Sequence, residues 1–272
     1  MKKFQIPKLL PTRSIIKTLS SILFSYVLYK KQYTQKDLII SLTSFPARFR
    51  HLKRTIRSIL AQTVLPEKIC VVLCLDEFKH HDLASNELKK ISKIIEVIWI
   101  QEKIRSYGKL LPARERYPDK SIITIDDDVL YEEWRISELL SFHIKHPNTI
   151  IAHRARKVEN KSYDKWQFIE RGKVDNNFIL TGVGGVLYPP KEKVSLNKID
   201  DISDAILICP TADDIWFSMS VIDANVPLFV LSNNSITNAS IFDDTPRLSS
   251  INVENSQNDS QLLAAKSFFH NA

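Results

Sequence analysis

Residues 121–131 read Ser-Ile-Ile-Thr-Ile-Asp-Asp-Asp-Val-Leu-Tyr. The apolar, β-branched run at 121–125 is the pattern of a strand buried on both faces. Asp126, Asp127 and Asp128 follow it without a break. Adjacent carboxylates repel, and a strand end holds three of them where a cation is at hand. In extended chain, residues two apart point to the same side, so Asp126 and Asp128 can share one hard cation. Mg²⁺ or Mn²⁺, taking oxygen ligands and completing its shell with a diphosphate, suits such a pair. The competing reading is a solvated acidic loop, or an N-cap by Asp127 or Asp128 for a helix near Glu132.

Upstream, strands and helices alternate. Residues 38–43, 68–75 and 97–100 are short apolar runs, and 121–125 is the fourth. Helical spacing of apolar residues marks 49–62, 83–95 and, after the aspartates, 132–143. Continuous apolar strands alternating with helices predict an α/β fold with a mostly parallel, Rossmann-like sheet covered on both faces. Ligands of such sheets bind beyond the carboxyl ends of the strands. Those ends carry Thr43 to Arg48, then Asp76 and Glu77, then Gln101 and Glu102, then the three aspartates.

Downstream the pattern changes. Three of the chain's five glycines fall at 182, 184 and 185, and a second acidic pair, Asp213 and Asp214, opens an apolar helical pattern. Residues 232–261, rich in Ser, Asn and Asp, read as loop. The cysteines, Cys70, Cys74 and Cys209, sit in apolar runs or before a proline, and read as buried reduced thiols.

Charge divides the 272 residues unevenly. The net +7 is the sum of +8 over residues 1–36, which hold no acid, and −1 over the rest. A nucleic-acid binder more often carries its excess on the folded body, so no nucleic-acid partner is expected. Residues 14–29 are amphipathic at helical spacing and too short and polar to span a bilayer. A basic helix lying on an anionic membrane surface is the expectation, against a helix packed on the protein's own body. The lack of a small-residue cleavage site argues against a signal peptide.

The stretch ITIDDDVLY at 123–131, with SLTSFPARF at 41–49, TGVGGVLYPP at 181–190 and the pair at 213–214, resembles the nucleotide-sugar glycosyltransferases of the GT-A fold. The likeness is to the family 2-like bacterial enzymes of polysaccharide assembly, with a lesser similarity to the exostosin-type domain. It covers residues from about 38 to 217 and implies a single catalytic domain at 37–272 behind the tail at 1–36. Residues 37–131 would form the nucleotide-binding half and 132–272 the acceptor half. It implies a Mn²⁺ or Mg²⁺ ion on Asp126 and Asp128, with Asp126 and Asp127 at the donor. It places Arg48 near the nucleotide, Asp76 at the base, Lys109 at the diphosphate, and Gly184 and Gly185 in a loop whose amides approach the ligand. Asp214 would be the base that takes the acceptor's proton, paired with Asp213, whose competing role is a helix cap. The donor would be a nucleotide diphosphate sugar, expected as a UDP-sugar. The acceptor would be a glycan or lipid-linked glycan at the cytoplasmic face of a membrane. Inverting and retaining chemistry both stay open. So does a third metal ligand, for which His270, Asp243 and Asp244 are the late candidates. Trp216 could stack on a sugar or pack in the core. A phosphohydrolase would carry its aspartates after the first strand, and a sugar nucleotidyltransferase would open on a Gly-x-Gly-x-Arg loop; the chain has neither. The alternative outside enzymes is a membrane-tethered nucleotide-sugar binding module.

Overall fold

The computed structural model describes residues 32–174, 176–231 and 257–271. The amphipathic segment expected at 14–29 lies outside them, as do Asp243 and Asp244. Among the described residues, no helix is long and apolar enough to cross a membrane.

Among the described residues, ten strands form two sheets. In chain order they are β1 (Tyr33–Thr43), β2 (Val64–Cys74), β3 (Ile95–Ile100), β4 (Ser121–Thr124), β5 (Ile150–Ala152), β6 (Ala155–Lys157), β7 (Gly172–Val174), β8 (Phe178–Leu180), β9 (Val186–Tyr188) and β10 (Leu228–Val230). The large sheet runs β3-β2-β1-β4-β9-β5-β10-β7, and β6 pairs with β8 in a small antiparallel ribbon. β1, β2, β3 and β4 are mutually parallel, β9 is antiparallel to β4 and β5, and β7 is antiparallel to β10. The fold is thus the expected α/β class with a mostly parallel sheet, and β9 reverses direction at its centre. This one sheet runs through both expected halves of the chain.

Among the described residues, seven α-helices flank it: α1 (Phe49–Leu60), α2 (His81–Lys89), α3 (Leu111–Arg116), α4 (Arg135–Lys145), α5 (Ile202–Ile208), α6 (Asp213–Asp223) and α7 (Gln257–Asn271). Alternation along β1 shows how the layers arise. Leu38, Ile40 and Leu42 face a core made with Leu52, Ile56 and Ile59 of α1 and Ile136 and Leu139 of α4. Ile39 faces the opposite core, shared with Tyr107, Ile215, Phe217 and Phe269. Both faces are covered, which is why these strands are apolar without interruption. The three cysteines are free and buried, as expected.

Several boundaries differ from expectation. Residues 33–36, assigned to the tail, begin β1, where Tyr33 pairs with Val64. The helix expected at 83–95 ends at Lys89, because Ile94 and Ile95 join the sheet: the Ile94 carbonyl accepts from Ile69 N at 2.9 Å. Residues 257–261, read as loop, open α7. Trp216 is fully buried against Phe268 and Phe269 and is a core residue, not a sugar platform.

The loop between β4 and α4 carries the three aspartates, and a polar stripe on α1 holds it. Thr55 Oγ1 reaches the carbonyls of Asp127 and Val129 at 2.9 and 2.8 Å, and Ser58 Oγ accepts from Tyr131 N at 3.1 Å. Buried Gln62 donates to the Glu132 carbonyl at 2.7 Å and accepts from Ile136 N at 3.1 Å. Thr55 and Ser58 lie one turn apart on α1, and Gln62 follows just beyond its end. Gln62→Leu preserves volume but strips partners from buried main-chain groups, each worth about 1–3 kcal/mol. We expect urea unfolding to show a loss of about 3 kcal/mol. Wild-type stability in that variant would show that Gln62 does not hold the acidic loop.

Candidate active site

The carboxyl ends of β1, β2, β3 and β4 open on a cavity of about 730 Å³, within the size of small-molecule sites, about 300–1,000 Å³. Ser44, Arg48 and Glu77 line one part of it; Arg154, Tyr163, Asp214 and Asn258 line another.

At its floor is a buried ammonium. Lys109 Nζ lies 2.8 Å from Asp213 Oδ2, 3.6 Å from Asp214 Oδ1 and 3.7 Å from Asp126 Oδ1. Burial opposes the charge on Lys109, yet Asp213, Asp214 and Asp126 together outweigh it and hold the amine well above its ordinary value. The acids respond oppositely. Burial pushes the Asp214 carboxyl up to about 7, with Lys109 holding it down and Asp213 and Asp126 pushing further. Burial likewise raises Asp126. Asp214 keeps 31% of its side chain exposed, against 9% for Asp213, so Asp214 faces the cavity and Asp213 holds the lysine.

Gly182 makes this arrangement possible. A Cβ there would sit 2.6 Å from Lys109 Nζ and 3.3 Å from Asp126 Oδ1. Its N–H donates to Asp214 Oδ2 at 3.1 Å. The turn before α6 is closed from α7, where Gln261 Oε1 accepts from Thr211 N and Ala212 N at 3.0 and 3.1 Å.

A second cluster sits beside the first. Arg48 is 2.8 Å from Asp127 and 3.3 Å from Asp128, and Ser44 Oγ donates to Asp127 Oδ2 at 2.5 Å. Burial raises the Asp127 carboxyl to about 6, against the pull of Arg48 and Ser44.

The expected residues therefore divide. Arg48, Lys109, Asp126, Asp127, Asp128, Asp213 and Asp214 all line the cavity. Asp127 is buried and faces Ser44 and Arg48, so it joins the acidic loop to the first strand end. The Lys109 ammonium is engaged by three carboxylates, a different setting from the expected open contact with a diphosphate. Asp213 is the first residue of α6 and makes no side-chain cap; the cap reading gives way to its ion pair with Lys109. Asp76 is exposed and off the cavity wall, because the short turn after β2 (Leu75–Glu77) brings Glu77 there instead, 2.5 Å from Lys103. Gly184 and Gly185 are also off the wall. They take positive φ of 97° and 102° in a turn, where Gly185 packs against Leu139 and Ile123, and Gly182 is the glycine at the site. His270 hydrogen-bonds the Lys266 carbonyl within α7 and does not line the cavity. Sequence reasoning missed Arg154 and Arg156, whose signal was their spacing of two about Ala155.

Among the described residues, no group of three or more His, Cys, Asp or Glu side chains is placed to hold a metal ion. Asp126 and Asp128 offer two carboxylates to the cavity, 24% and 19% exposed. Magnesium is usually bound by one or two carboxylates, with substrate phosphates and water completing the shell. The donor set fits that kind of shared site and does not make an all-protein cage.

No family model matches the chain, and no curated protein matches it. Among solved structures, the chain is similar to a 4-diphosphocytidyl-2C-methyl-D-erythritol synthase from Anaerococcus prevotii, at 13% identity and a TM-score of 0.47, over 77% of this chain and 92% of that one.

Gly182→Ala tests the cage directly. Its φ is not in the left-handed region, so the backbone accepts alanine, but the new methyl occupies the space of the Lys109 ammonium. Displacing the cation removes what holds Asp214 down, so its midpoint should climb above about 7 in a carbon-13 carboxyl titration of the folded variant. An unchanged or lower midpoint would show that Lys109 does not control this carboxylate.

Proposed function

We propose that the chain transfers a sugar from a nucleotide diphosphate sugar, expected as a UDP-sugar, to a hydroxyl of a glycan or lipid-linked glycan. The observation that carries this reading is Asp214. It is a carboxylate raised to about 7, 31% exposed on a cavity at the strand ends, and one lysine away from the acidic loop. A general base works best with a pKa near the operating pH.

In this reading the donor lies along the ends of β1, β2 and β3, between Ser44, Arg48 and Glu77. Asp126 and Asp128 would hold Mg²⁺ or Mn²⁺, which when bound supplies positive charge to the leaving diphosphate. Asp214 accepts the acceptor's hydroxyl proton as the new bond to the anomeric carbon forms and the nucleotide diphosphate departs. Lys109 keeps Asp214 ionisable near neutral pH, and Asp213 keeps Lys109 in place. The proton then leaves through the exposed edge of Asp214. The basic tail at 1–36 supports a peripheral place on an anionic, cytoplasmic membrane face. A binding module without activity would need no carboxylate tuned to this range, and a phosphohydrolase would place its aspartates after β1, where the chain has Thr43, Ser44 and Phe45.

Asp214→Asn keeps the shape and removes the basicity. Calorimetric affinity for UDP with Mn²⁺ should survive, while transfer falls by about 10²- to 10⁴-fold. In the wild type only the ionised carboxyl accepts a proton, so transfer should fall about tenfold per pH unit below about 7 and level off above it. Near-native transfer by the variant, or a flat profile through that range, would move the base elsewhere. Asp128→Ala should abolish the Mn²⁺-dependent part of UDP binding. Unchanged affinity would remove Asp128 from the metal.

A further inference from the structure

Arg154 and Arg156 flank Ala155 at the start of the small ribbon, and both line the cavity. Their guanidinium carbons lie 4.7 and 4.3 Å from the centroid of one ring, Phe168. Arg156 is also 5.3 Å from the Tyr163 ring and donates to the Trp166 carbonyl at 2.6 Å. Arg154 Nε donates to Thr181 Oγ1 at 2.9 Å. Among the described residues, neither guanidinium has a carboxylate within ion-pair distance. Two like charges, half-buried on one aromatic ring, are thus held by packing, one hydroxyl and one carbonyl. Burial, and then the like charge of Arg156, disfavour the charged form of Arg154, and Asp214 and Asp126, beyond ion-pair distance, offset this only in part. An anion placed between them would relieve both costs, and a planar guanidinium fork matches phosphate and carboxylate oxygens.

Their position says which substrate would bring that anion. Thr181, which holds Arg154, is followed directly by Gly182, whose N–H donates to Asp214. The arginine pair is therefore built onto the same segment as Asp214. It is not built onto the strand ends where Ser44, Arg48 and Glu77 sit. We propose that Arg154 and Arg156 form an anion subsite for the acceptor, which carries a phosphate or carboxylate group beside the hydroxyl that reacts. This rests on the reading of Asp214 as the base on the acceptor side.

The experiment uses the full chain, saturated with UDP and Mn²⁺, and titrates it calorimetrically with three probes: glucose 1-phosphate, glucuronate and methyl glucoside. We expect at least one anionic probe to bind at least tenfold more tightly than methyl glucoside. Arg154→Gln and Arg156→Gln should each erase that preference and leave UDP affinity within twofold of wild type. Glucose 1-phosphate ahead of glucuronate assigns a phosphorylated acceptor, and the reverse assigns a carboxylated one. Equal binding of charged and neutral probes would overturn the subsite. So would a tenfold loss of UDP affinity in both variants, which would give the arginines to the donor's diphosphate and leave sugar transfer standing. Failure of the wild type to bind UDP would instead count against the donor. The probes titrated without nucleotide would then decide the anion subsite on its own. Retained UDP binding in either variant shows that it is folded.

Discussion

Lys109 is buried and charged, and neither condition is stable without the other's remedy. An ammonium taken out of water costs several kcal/mol unless oppositely charged groups meet it. Here three carboxylates do, from the loop after β4 and from the first turn of α6. The same contact solves the problem of the acids, since Asp213 and Asp214 are neighbours in sequence and Asp126 faces them. Removing either side would leave an uncompensated charge in a dry place. The two halves, already joined by one sheet and a shared core, are thus also tied by charge at the point where the cavity opens.

Around this centre the three consecutive aspartates have three situations. Asp126 faces the lysine, Asp127 is buried against Ser44 and Arg48, and Asp128 remains open beside Arg48. The loop can hold them apart because its backbone is not free: Thr55 and Ser58 of α1, and Gln62 just beyond its end, take its carbonyls and amides. Tyr131 adds one more tie, its hydroxyl accepting from Asp126 N at 2.9 Å. A helix that packs its apolar side on the sheet thus uses its polar edge to shape the acidic turn.

Much of the first half was legible because buried parallel strands are long apolar runs, and β1, β2 and β4 read that way. The second half was not, because β5 to β10 are three residues each, too short for periodicity to register. The strand-end position of the carboxylates could be read, since it follows from the alternation of elements. Which of two neighbours faces the cavity could not. Glu77 replaces Asp76, and Gly182 replaces Gly184 and Gly185, because a single short turn decides the matter and leaves no pattern in composition. The lysine cage was hidden for a different reason: it joins residues about a hundred positions apart, and nothing local in Ser106-Tyr107-Gly108-Lys109 announces three partners downstream.

The turn that presents Asp213 and Asp214 is closed by Gln261, so the site draws on residues made at widely separated moments of synthesis. At about 5–20 residues per second, roughly 7–27 seconds pass between the making of Asp126 and that of Gln261. For roughly the first 4–18 seconds of that interval the first half can form its strands while Lys109 still lacks Asp213 and Asp214. The nascent chain thus carries a lysine short of two of its three carboxylates well before it can present a finished cavity.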